Sequence, residues 1–133
     1  MDAKTEAIFE LSANWGRMID AKDADGIVNL YRTDGAFLLP GQPAYEGHEA
    51  VRAAWQFFFS LPEFALVLGP SLVEISGDAS FAMERGSYRL SYRGPEEPVV
   101  EVGKYLVVWR ASSDGTWKVA ADMINSDAPA TGP

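Results

Sequence analysis

From Phe64 to Ser126 the sequence runs as four long β-type segments separated only by turn-forming residues. Phe64 to Ile75 is the first, disturbed at Gly69-Pro70, where a bulge or bend is expected. Gly77-Asp78 turns the chain into Ser80 to Tyr92, Gly94-Pro95-Glu96-Glu97-Pro98 into Val99 to Arg110, and Ser113-Asp114-Gly115 into Trp117 to Ser126. Connections this short join antiparallel neighbours, so nearly half of the chain is committed to one meander.

The preceding residues have a different period. Ile8, Leu11, Trp15, Met18 and Ile19 recur at helical spacing between Thr5 and Asp20. Asp23 is placed to cap a short second helix carrying Ile27, Leu30 and Tyr31. Asp34-Gly35 reads as a turn, Ala36 to Leu39 as a short strand. A third helix starts near Gly47, with Val51, Ala54, Trp55, Phe58 and Phe59 as its apolar stripe, and ends at Leu61-Pro62. Helices precede strands instead of alternating with them, so the class is α+β, with three N-terminal helices covering one face of a strongly curved, mainly antiparallel sheet. One domain is expected over residues 1–127, with DAPATGP at the end carrying no packing signal and 128–133 forming a mobile tail.

Both parities of the later strands are apolar. Glu101, Gly103, Tyr105, Val107 and Trp109 alternate with Val102, Lys104, Leu106, Val108 and Arg110. Trp117, Val119, Ala121 and Met123 alternate with Lys118, Ala120, Asp122 and Ile124. A sheet wet on one side alternates more cleanly. Either something else in the chain or a second subunit covers the far face, and with all three helices needed on the first face this predicts a homodimer through the sheet; the alternative is that β-propensity alone fills solvated positions.

Composition excludes several classes of function. With no cysteine there are no disulfides, thiolate nucleophiles or Cys-held zinc, and a reducing cytoplasm is the expected setting. The net charge is −8 with no cluster of Lys and Arg, which argues against nucleic acid and anionic membranes as partners. No basic, apolar leader and no membrane-spanning run is read in the sequence. The single histidine, His48, cannot build a metal cluster and is assigned to the surface or a pocket rim; no metal and no cofactor is expected. No G-x-S-x-G elbow occurs.

Carboxylate, Tyr, Arg and Trp chemistry remains. Asp122 interrupts the apolar strand VAADMI and must be paired, protonated or exposed. Arg85, with Arg89, is a candidate partner, and an Asp122–Arg85 pair is open to a structural or a catalytic interpretation. Glu101 is either a solvated strand-end charge or, if buried beside Tyr105 and Trp15, an acid with a raised pKa. Phe37, Leu39, Trp55, Phe59, Met83, Tyr88 and Tyr105 are candidate walls of an apolar pocket, with Tyr31 and Asn125 as further polar contacts.

The succession D-x-D-G-I-V-x-L-Y (Asp23 to Tyr31), D-G-A-F-L-L-P-G (Asp34 to Gly41), E-G-x-E-A-V-R-A-A-W (Glu46 to Trp55) and G-K-Y-L-V-V-W-R…D-G-T-W-K-V…D-M-I-N-S-D (Gly103 to Asp127) resembles the nuclear transport factor 2-like (NTF2-like) superfamily, most of all its SnoaL-like and DUF4440 branches. The resemblance covers nearly the whole chain. It implies a cystatin-like cone with a pocket at its wide end. It also spans ketosteroid isomerase, polyketide cyclases, dehydratases, kinase association domains and proteins with no chemistry, so fold alone does not give activity. Carried over by position, the isomerases' general-base aspartate falls at Leu39, which cannot accept a proton, and their oxyanion-donating tyrosine falls at Trp15. The partner acid of that oxyanion site falls at Glu101, and several polyketide cyclases carry an acid in the strand of Asp122. The resemblance therefore implies a pocket for an apolar or polycyclic ligand. Asp122 or Glu101 would be the acid or base of a cofactor-independent isomerisation, cyclisation or dehydration, with Arg85 or Trp15 stabilising developing oxyanion charge. The other class of function is a non-catalytic module that binds a ligand or dimerises.

Overall fold

Helix α1 (Ala3–Asp20) begins where Asp2 accepts a hydrogen bond from the Thr5 amide at 2.8 Å, satisfying one of the free donors of the first turn. In the computed structural model, which describes residues 2–129, its inward stripe buries Ile8, Trp15 and Ile19. Asp23 caps α2 (Ala24–Val28) in the same way, through the Gly26 amide at 2.9 Å. The chain then forms β1 (Tyr31–Leu38), β2 (Tyr45–Glu46), α3 (His48–Ser60), β3 (Ala65–Ile75), β4 (Phe81–Arg93), β5 (Pro98–Ala111) and β6 (Trp117–Ser126). Among these residues no helix is long and apolar enough to cross a membrane.

The six strands form one curved, unclosed sheet in the order β2-β1-β6-β5-β4-β3. The last four are the expected antiparallel meander, each within about two residues of its expected bounds; β1 joins it parallel to β6, and β2 pairs antiparallel with β1. The helices lie on one face. The expected disturbance at Gly69-Pro70 is a register shift: Leu68 faces Tyr88, but Ser71 faces Gly86, so β3 carries one extra residue.

Two local expectations are corrected. The second helix stops at Val28, and Tyr31 opens β1 instead of continuing the helix. Asp34-Gly35 is not a turn before the strand but an irregularity inside it: Tyr31 is opposite Val119, yet Ala36 is opposite Ala121. A Cβ on residue 35 would meet the Val119 carbonyl at 2.7 Å, so the close approach of β1 to β6 requires glycine there. Leu39 and Pro40 lie beyond the strand, and the two-residue β2 was not foreseen. Of the expected tail, residues 130–133 lie outside the described residues.

A second bulge decides what the interior contains. Val108 of β5 pairs with Ala121, but Trp109 pairs with Val119, leaving Ala120 as an extra residue of β6. Trp117 and Val119 point toward the helices; past Ala120 the parity reverses, and Asp122 and Ile124 take the inner side. In β5 the inner parity is Gly103, Tyr105, Val107 and Trp109. The outer face keeps Val67, Leu72, Phe81, Val100, Val102, Leu106 and Met123 exposed, with Leu72, Arg85, Leu106 and Met123 in one row across four strands.

Candidate functional site

The acid turned inward by the β6 bulge is 5% exposed. Asp122 accepts a hydrogen bond on Oδ2 from the Tyr31 hydroxyl at 2.8 Å, and Tyr31 in turn accepts one from Trp55 Nε1 at 3.2 Å. Burial pushes the Asp122 carboxyl from 3.8 up to about 7, opposed by the Tyr31 hydrogen bond and reinforced by the negative charge of Glu84. Tyr31 is raised well above its ordinary value by burial and by Asp122, so it stays a donor. The result is a carboxyl that exchanges its proton near neutrality, held in place by a phenol that cannot lose its own.

Asp122 lines a narrow interior cavity of ≈ 40 Å³ between the sheet and helices α1 and α3. Of the expected wall residues, Phe37, Trp55, Tyr88 and Tyr105 line it too, and so does Trp15, the position to which the resemblance carried the oxyanion donor. Phe37 and Trp55 stack at 5.1 Å, and Trp15 stands edge-on to Tyr31, Trp55 and Trp109 at 5.6, 6.3 and 6.1 Å. Tyr105 is pushed up to about 12, chiefly by burial and secondly by Glu84.

Glu84 is the cavity acid that the sequence did not single out. It is 1% exposed and accepts three hydrogen bonds: from Ser12 Oγ at 2.6 Å, Ser71 Oγ at 2.9 Å and Trp109 Nε1 at 3.2 Å. Ser71 reaches it because the β3 bulge ends there. The signal was present, since Glu84 shares its parity with Ala82, Tyr88 and Leu90, but Phe81 and Met83 on the other parity are equally apolar and Arg85 beside it suggests a surface charge pair.

Other expected site residues lie elsewhere. With Glu84 inward, alternation along β4 sends Met83 and Arg85 to the opposite face of the sheet. Arg85 is exposed there, opposite Leu72 and Leu106, so no Asp122–Arg85 pair forms and Tyr31 is the partner of the acid. Asn125 is outward as well, because the bulge gives the inner side to Asp122 and Ile124. Glu101 is half-buried but off the cavity, where it accepts a hydrogen bond from the Tyr88 hydroxyl at 2.7 Å; burial and that contact raise Tyr88 far above its usual range. Trp15 and Glu101 do not meet at the cavity. Leu39 and Phe59 pack against the core without lining the cavity, Phe59 resting on Trp55 at 5.8 Å. His48 opens α3 and hydrogen-bonds through Nε2 to the Tyr31 carbonyl at 2.8 Å, bracing the strand that carries the phenol. No group of three His, Cys, Asp or Glu side chains able to hold a metal occurs among the described residues.

Helices laid across one face of a curved six-stranded sheet, around a cavity lined by aromatic rings and two buried carboxyls, define an NTF2-like protein with a cystatin-like fold. The chain belongs to the SnoaL-like domain family, whose model matches residues 3–121. An NTF2-like protein with a cystatin-like fold from Novosphingobium aromaticivorans superposes with a TM-score of 0.79 at 21% identity, over 96% of this chain and 84% of that one. A ketosteroid isomerase-like protein from Erwinia carotovora atroseptica superposes at 0.78 and 16% identity, over 97% and 100%. Aln2 from a Streptomyces species superposes at 0.77 and 15% identity, over 96% and 94%. At these identities the likeness is one of fold. No curated protein sequence matches the chain.

Proposed function

We propose that the protein binds a small, largely apolar ligand in the interior cavity and catalyses a cofactor-independent proton transfer with Asp122 as the acid or base. The observation that carries this reading is the buried Asp122 carboxyl on the cavity wall, titrating at about 7 and fixed by Tyr31. Such a group donates a proton when neutral and accepts one when ionised, both near physiological pH. Isomerisation, cyclisation and dehydration all need that step. Glu101 and Arg85 have no place in the scheme, since neither lines the cavity.

The ≈ 40 Å³ of the cavity limits the occupant to a few heavy atoms, far below the roughly 300–1,000 Å³ of drug-sized ligand sites. A polycyclic ligand enters only if rings such as Phe37 and Trp55 swing aside. The same narrowness favours the second reading, a module that binds without turnover. The exposed apolar outer face supports assembly as a homodimer through the sheet, and the cysteine-free chain supports a cytoplasmic setting.

The test is proton exchange at a carbonyl α-carbon, followed by NMR in deuterated water with small enolisable ketones. The native protein is expected to accelerate exchange, and Asp122→Asn to remove about 10²–10⁴ of that acceleration. Equal rates for the two proteins would leave Asp122 without a catalytic role and favour the binding module.

A further inference from the structure

Asp122 and Glu84 belong to one row across the sheet. Glu84 of β4 is opposite Val107 of β5, and Val107 is opposite Asp122 of β6. The two acids therefore stand two strand spacings apart on the same inner face, about 9.5 Å between backbones. Both line the cavity, and no Lys, Arg or His does. The ion pairs among the described residues lie elsewhere and include neither acid. Every donor on the two carboxyls is neutral: the hydroxyls of Ser12, Ser71 and Tyr31 and the Trp109 indole. Buried carboxylates are ordinarily paired with a cation, and two of them in one low-dielectric space oppose each other's ionisation. The chain provides the negative charge of this cavity without its complement.

One acceptor is left open. Asp122 Oδ2 takes the Tyr31 hydroxyl, and Oδ1 takes no hydrogen bond among the described residues. Among those residues the one side-chain polar atom both sealed and unpartnered is Trp15 Nε1, so Asp122 Oδ1 keeps accessible surface. In a residue 5% exposed that lines the cavity, the cavity is where that surface lies. The walls around it are rings: Trp15, Phe37, Trp55, Tyr88 and Tyr105. Aromatic faces attract cations, above all desolvated alkylammonium groups. A metal ion is not the complement, since no group of three ligating side chains occurs among the described residues.

We propose that the cavity binds a small alkylammonium ion, its N–H on Asp122 Oδ1, its charge balanced by Asp122 and Glu84 and its alkyl groups against the rings, an inference that rests on the cavity reading and adds the charge of the occupant. Where Asp122 is neutral, its proton leaves to water as the ion binds. The titratable side chains that line the cavity with Asp122 are Glu84, Tyr88 and Tyr105, and Tyr31 is bonded to it. Helices α1 and α3 bring to the lining only Ser12 and apolar or indole groups, and His48 of α3 reaches the Tyr31 carbonyl instead. Asp122 titrates at about 7, and a primary amine, like Lys, near about 10.4, so affinity should rise about tenfold between about pH 6 and about pH 8.

Xenon, methylammonium and methanol are titrated into the native protein at matched ionic strength and about pH 8, where Asp122 is mostly ionised, with carbon NMR of the carboxyls and nitrogen–proton NMR of the indoles. Xenon reports whether the cavity accepts an apolar atom at all. Methanol matches methylammonium in size and donates a hydrogen bond without the charge. Methylammonium is expected to shift the Asp122 and Glu84 carboxyls and the Trp15 and Trp55 indoles, and to bind at least about tenfold more tightly than methanol. Glu84→Gln should weaken it about tenfold and leave xenon binding unchanged, and Asp122→Asn should abolish the rise with pH. Methanol binding as tightly as methylammonium, shifts confined to residues outside the cavity, or an affinity unmoved by Glu84→Gln overturns the inference. Should Glu84→Gln lose xenon binding, the native pH series decides: the tenfold rise supports the inference, and a flat affinity overturns it. Xenon binding without methylammonium binding overturns it while the cavity stands. Failure of xenon and methylammonium alike removes the cavity reading as well.

Discussion

Replacing Asp122 by Asn should change how stability depends on pH. In the folded chain the Asp122 carboxyl titrates at about 7, against 3.8 when free in water, because burial disfavours its charged form. A folded-state pKa raised above the unfolded one means that the folded state holds the proton more tightly. The associated stability is complete below the unfolded value, near pH 4, and is lost as pH rises through about 7. At about 1.4 kcal/mol per pH unit, a rise from 3.8 to about 7 corresponds to roughly 4 kcal/mol, an upper figure for a carboxyl that can relax toward water when it ionises. Asn keeps a carbonyl oxygen that can accept from Tyr31 and has no charge to bury. Urea unfolding of the native and Asp122→Asn proteins, from about pH 4 to about pH 8, isolates the titration of Asp122 with its coupling to Glu84, because groups that do not interact with Asp122 cancel in the difference. The variant is expected to gain on the native protein by up to about 4 kcal/mol across that range, most of it between about pH 4 and pH 7. A difference that stays flat would show that Asp122 titrates like a solvated aspartate. A difference of opposite sign would show that the ionised form is the one the fold stabilises. Either result refutes the assignment of a buried, protonatable acid.

Tyr31→Phe removes the hydrogen bond that opposes the raised pKa, so the Asp122 carboxyl should move further up, as followed by carbon NMR of the carboxyl. It also strands the Trp55 N–H, which should cost about 1–3 kcal/mol in chemical denaturation. Gly103→Ala drives a Cβ against the Asn125 carbonyl and to 2.6 Å from the Tyr88 hydroxyl, so a loss of about 1–3 kcal/mol is expected, with disturbance of the Tyr88–Glu101 contact visible in tyrosine ring resonances. Light scattering should give twice the 14.5 kDa chain mass for the native protein. Leu106→Glu, in the middle of the exposed outer row, should reduce it to the mass of one chain; a native monomer would dispose of the dimer.

The meander was legible because each of its turns contains glycine or a Gly-Pro or Asp-Gly pair, and those residues leave the chain few alternatives. The stretch from Leu30 to Gly35 was not. Leu30 and Tyr31 extend the helical spacing of Ile27, and what overrides it is long-range: the Tyr31 hydroxyl finds Asp122, ninety-one residues away, and the Tyr31 carbonyl finds His48. Asp122 stood out as an acid in an apolar strand, but its partner could not be chosen, since Arg85 and Glu84 differ by one residue and a strand sends neighbours to opposite faces. Glu84 was hidden because both parities of β4 are apolar around it, and the outer one is the unpaired face of the sheet.

The extra alanine in β6 separates two kinds of mutational robustness. Substitution at 120 changes one small side chain, and excision of the same alanine would restore strict alternation with Asp122 still inside; keeping the residue but flattening the bulge would instead turn the carboxyl outward and present Met123 in its place. Whether a related chain keeps its acid inside is therefore a matter of spacing and bulge together: a four-residue step from the tryptophan in a regular strand gives the same interior as this five-residue step with one residue bulged, and a five-residue step without the bulge gives the opposite one.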